Sequence, residues 1–80
     1  MPNTIQRKSF SIGARVSVTP GGGWKQSFMG TVCDGPESVD TLKGPGYFYW
    51  VEFDEPQEDI NGPDRYRKAQ ILSCYLEHAI

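Results

Sequence analysis

The chain has 80 residues, of which 22% are charged, and a formal net charge of -2. This length supports one domain, and one so small buries only about 60 to 65% of the surface its unfolded chain exposes. The mild acidic excess excludes a global field that would gather nucleic acid or an anionic membrane, so any basic contact must be local.

Met1 to Lys8 is polar, shows no periodic face and is expected to be a flexible N-terminal segment ahead of a single domain over residues 9–80. The opening residues lack a continuous apolar run, so neither a signal peptide nor a membrane span is expected, and a cytoplasmic location follows as the expectation. Phe10 and Ile12 begin an alternation that resumes after Gly13 as a strand, with Ala14, Val16 and Val18 inward and Arg15, Ser17 and Thr19 outward. Pro20-Gly21-Gly22-Gly23 reads as a flexible, irregular loop that delivers Trp24 at its far end. A phosphate-binding loop would need a Gly-Lys-Ser/Thr ending that opens a helix; here Trp24-Lys25-Gln26-Ser27 leads into a strand instead.

Phe28 to Cys33 alternates again, with Phe28, Gly30 and Val32 on one side, and the glycine marks a bend or a close backbone approach. Asp34-Gly35-Pro36-Glu37 reads as a turn and Ser38 to Pro45 as a long exposed hairpin connection. Then comes the richest apolar stretch, Gly46 to Asp54, which is aromatic and β-branched and reads as the central strand. A period of two puts Tyr47, Tyr49, Val51 and Phe53 toward the core and Phe48, Trp50, Glu52 and Asp54 away from it.

Glu55 to Asp64 is an acidic loop with two prolines and an Asn-Gly turn, and its carboxylates do not fall in the calcium-loop register. Arg65-Tyr66-Arg67-Lys68 is a compact basic and aromatic cluster, and Lys68 to Ile71 continues as a strand with Ala69 and Ile71 inward. Leu72 to Tyr75 suits one tight helical turn and Leu76 to Ile80 a last short strand. Five short strands with one apolar face each are best satisfied by curling into a small, strongly twisted all-β barrel with one short 3-10 turn before the last strand.

Cys33 and Cys74 form no Cys-x-x-Cys motif, and with His78 as the single histidine they cannot supply a four-ligand soft-metal set, so both read as small apolar residues and no metal or cofactor is expected. His78 is the only side chain that titrates near neutrality when unperturbed, and beside the C-terminus it reads as solvated rather than catalytic.

Ile12-Gly13-Ala14-Arg15-Val16-Ser17-Val18, Trp24, Gly30-Thr31-Val32, Tyr49-Trp50-Val51-Glu52-Phe53-Asp54 and Leu76-Glu77 together resemble the pattern of photosystem I subunit IV and of the ferredoxin-thioredoxin reductase variable chain. The resemblance implies an SH3-like barrel acting as a non-catalytic accessory subunit that docks on an electron-transfer partner. The acidic stretch from Glu55 to Asp64 departs from it. More distantly, Phe10 to Val16 and Gly21-Gly22-Gly23-Trp24 are similar to plasmid-type dihydrofolate reductase, which implies a tetramer around one pore. Gln70 and Ile71 match that family's active-site strand, whereas Leu72 stands in place of its tyrosine and Val18 in place of its substrate-binding lysine.

Three functions of different class follow. The first is a protein-binding or accessory module, partnered by another protein or by its own copies, with Trp24, Phe48, Trp50, Tyr66, Arg65 and Arg67 as the contact set. The second is an oligomeric pore reductase that uses Gln70 and Ile71. The third is a single-stranded nucleic-acid binder through Arg15, Lys25, Arg65, Arg67 and Lys68 with stacking on Trp24 or Tyr66, opposed by the neighbouring acidic loop.

Overall fold

A computed structural model of the chain describes residues 9–79; the segment expected to be flexible, residues 1–8, lies outside them. The described chain is all-β: β1 (Arg15–Val18), β2 (Phe28–Thr41), β3 (Gly44–Glu58), β4 (Arg65–Leu72) and β5 (Leu76–His78), with 3-10 turns at Pro20–Gly22 and Ser73–Tyr75. Every neighbouring pair is antiparallel and the order is β4-β3-β2-β1-β5. Among the described residues no ladder joins β4 to β5, so the sheet is open at those two strands.

The sheet curls round its own apolar face, because residues from both of its edges meet in one core: Ile71 of β4 and Leu76 of β5 pack in the cluster that holds Val16, Val18, Val32, Tyr49, Val51 and Phe53. The alternation expected on the central strand holds, with Tyr49 and Val51 wholly buried and Trp50, Glu52 and Asp54 exposed. Phe10 joins the core at 6% exposure and donates its backbone N–H to the Tyr49 hydroxyl at 3.0 Å, whereas Ile12 does not continue inward and stands 58% exposed. Gly30 is required by close approach: a Cβ there would come within 2.7 Å of the Glu52 carbonyl oxygen and of Val51 Cγ1.

Four stretches differ from the expectation. Pro20–Gly22 is a regular 3-10 turn, closed by Gly23 at φ +101° and by a bond from its N–H to the Pro20 carbonyl. The Tyr75 ring lies against this turn, close enough that a Cβ on Gly22 would sit 3.1 Å from it. Asp34 to Glu37 is no turn; β2 runs through it with register shifts between Val32 and Asp34 and between Asp34 and Glu37, because a bulge absorbs extra residues without ending the pairing. The connection expected over Ser38 to Pro45 is likewise mostly strand. Thr41 pairs with Gly44, leaving only Leu42 and Lys43 as the turn, held by bonds from the Thr41 hydroxyl to the Gly44 carbonyl and from the Lys43 N–H to the Thr41 hydroxyl oxygen. Lastly, Glu55 to Glu58 belongs to β3, across a further register shift opposite β4, so the acidic connection is shorter than expected.

Candidate aromatic contact surface

The outer face of β3 carries Phe48, Trp50, Glu52 and Asp54, and pairing decides what flanks each ring. Trp50 stands opposite Asp34 on β2 and Gln70 on β4, and Phe48 opposite Glu37 and Leu72. Trp50 is 37% exposed and Phe48 half-buried. The ammonium of Lys68 lies 5.6 Å from the Trp50 ring centroid, within reach of the attraction between a cation and an aromatic face. Asp34, Trp50 and Lys68 line a shallow depression of about 340 Å³, so one indole wall is flanked by one acid and one base.

Hydrogen bonds fix the rim. Gln70 Nε2 donates to Glu37 Oε1 at 2.6 Å, tying β4 to β2 over the strand between them, and the Cys33 thiol donates to the Trp50 carbonyl at 3.5 Å. Further along, the guanidinium of Arg15 meets the Asp54 carboxylate through two bonds of 2.7 and 2.6 Å and also donates to the Thr31 hydroxyl at 2.9 Å. That forked hydrogen bond, with Coulomb attraction adding to it, holds the Asp54 carboxyl below the usual carboxylate range and raises the Arg15 guanidinium.

Trp24 belongs elsewhere. Its ring makes edge contacts with Phe28 at 5.4 Å, Phe53 at 5.2 Å and Tyr66 at 5.9 Å, so it closes one end of the core instead of joining Trp50 outside. It is half-buried, and a bridge to Asp59 together with a bond from the Ile60 N–H to the Gly23 carbonyl ties the glycine-rich segment to the acidic connection. Tyr66 is the outermost ring of that stack at 39% exposure. Beside it Glu58 accepts from Lys25 at 2.6 Å and faces Arg65 at 3.6 Å, and the Lys25 hydrogen bond holds its carboxyl below the ordinary value.

The six residues expected to form one contact set are therefore divided: Phe48 and Trp50 share the outer face of β3, while Trp24, Tyr66 and Arg65 gather at the end where β3 leads into β4. Arg67 is exposed on β4. Sequence reasoning left Asp34 in a turn and Lys68 in a basic cluster; both flank Trp50 only because of cross-strand register, which no local motif encodes. Ile71, offered as a pore residue, is 3% exposed in the core, and Gln70 is engaged by Glu37. Among the described residues no helix is long and apolar enough to cross a membrane. Comparison with family models, with curated proteins and with solved structures gives no match for this chain.

Proposed function

We propose that the chain is a small non-catalytic protein-binding module of SH3-like architecture, whose contact surface is the outer face of β3 around Trp50. The observation that carries this reading is the Trp50 ring, 37% exposed in mid-sheet with Phe48 beside it and Lys68 and Asp34 at its edges. An indole so placed offers large contact area at small cost in side-chain entropy, and the two opposite charges give an incoming chain a fixed orientation. The SH3-like assignment is supported by the strand order, by the 3-10 turn between β4 and β5 and by the curl that brings both edges to one core. An accessory-subunit role, of the kind the motif resemblance implies, is the setting in which such a face serves.

Peptide display against the immobilised chain, counter-screened with Trp50→Ala, tests the proposal. Enriched peptides are expected to lose at least about tenfold in affinity for the variant. Failure to enrich any peptide, or peptides that bind Trp50→Ala equally well, overturns it. A gel shift of single-stranded oligonucleotide that fades with salt and with Arg67→Ala would transfer the function to the basic strand instead.

A further inference from the structure

Two free edges among the described residues, that of β4 and that of the later half of β2, carry opposite charge, and we propose that they bind each other between two copies of the chain. β4 is an outer strand, paired with β3 on one side and, among the described residues, with nothing on the other. Its first half presents Arg65, Arg67 and Lys68, all exposed, and the strand holds no acidic residue. Among the described residues β2 is free along its later half. Its pairing with β1 covers Phe28 to Thr31, is extended to Val32 by backbone bonds with Gly13 and Ala14, and then stops. From Cys33 to Thr41 the strand presents Asp34, Glu37 and Asp40 with no basic residue among them.

A row of open N–H and C=O groups is a template for a further strand, and natural sheets guard such rows with charge. Like charges on two edges keep copies apart; opposite charges on two edges of one molecule draw the acidic edge of one copy to the basic edge of the next. Gly35 and Pro36 interrupt the acidic edge, since proline has no N–H to give, which leaves Glu37 to Thr41 as its usable length. Within that length Asp40 pairs with Pro45, which also lacks an N–H, and this places the pair where antiparallel backbone groups point away from the partner strand. The N–H and C=O of Asp40 then face the free edge. Neither the Asp40 nor the Arg67 side chain is engaged in an ion pair within the described residues. The contact is strand addition, with main-chain bonds giving affinity and the charge rows giving partner choice. It needs neither Trp50 nor Phe48; Lys68 and Asp34 border both surfaces, so its test falls on Arg67 and Asp40, and Trp50→Ala separates it from the function proposed above.

Sedimentation equilibrium of the full chain tests it, at about 20 mM and about 0.5 M salt, where screening lengths differ severalfold. In low salt the weight-average mass is expected to rise with concentration above the 9.0 kDa of one chain and to fall back in high salt. Arg67→Glu and Asp40→Lys, both at exposed positions, should each weaken association by about tenfold or more, and an equimolar mixture of the two should associate more strongly than either alone. Trp50→Ala should leave the association unchanged. A mass of one chain at every concentration in low salt, association indifferent to salt, or loss caused by only one of the two charge reversals overturns the proposal. Abolition by Trp50→Ala overturns it as well and assigns self-association to the aromatic face.

Discussion

The sheet has two regions built from the same strands. Where β2 and β3 are flanked by β1 and β4, burial alternates cleanly: Phe28, Gly30 and Val32 lie inside on one strand and Tyr49, Val51 and Phe53 on the other. Where, among the described residues, the two strands run on alone toward Leu42 and Lys43, no residue from Ser38 to Tyr47 is buried, although pairing continues to Thr41 and Gly44. The difference teaches that the ladder extends the strands but only flanking strands give them a core. A two-stranded ribbon can satisfy backbone groups and still contribute little apolar burial.

The contrast is broken or sharpened first by truncating the core. Leu76→Ala, at a wholly buried site, should lower stability in urea unfolding by about 2 to 5 kcal/mol, while Val39→Ala in the ribbon should change it by about 0.5 kcal/mol or less. Equal costs at the two sites would erase the distinction. Glycine makes the next test. Gly30→Ala forces a Cβ to within 2.7 Å of the Glu52 carbonyl oxygen and should cost about 1 to 3 kcal/mol, whereas Gly46→Ala meets only ordinary contacts at 3.5 and 3.6 Å and should be near neutral or slightly stabilising, read as shifts in thermal midpoint.

The smallest effect lies on the exposed charges of the flanked region. Because Arg15 holds the Asp54 carboxyl below its unfolded value, the stabilisation is present above the usual carboxylate range and is lost as pH falls through the lowered folded value. Glu58 acts in the same direction through Lys25. Asp54→Asn should therefore flatten part of the acid limb of a stability-against-pH curve at low salt and leave stability near neutrality little changed, since the pair is exposed and screened. An unchanged acid limb would remove the Arg15 contact from the account.

What was legible in the sequence was what depends on local period. Tyr49, Val51 and Phe53 against Trp50, Glu52 and Asp54 follow from alternation alone, and a turn before the last strand follows from its short spacing. Gly35 and Pro36 misled because the residues that end a strand also make a bulge, and only the partner strand decides between the two. Pro20 to Gly23 misled for a related reason: a glycine run has little structure of its own, and here Tyr75, distant in sequence, packs over it. The surroundings of Trp50 were illegible because Lys68 reaches it as a diagonal neighbour across the register that pairs Trp50 with Gln70 and Glu52 with Lys68, and that pairing is not written in either strand alone.

The ring of Tyr75 resting on Gly21 and Gly22 makes two remote stretches share one mutational fate. A methyl group added to either glycine would press on the phenol at 3.3 or 3.1 Å and oblige the ring to give by a few tenths of an ångström, so a change written early in the chain would be felt at the turn that launches β5.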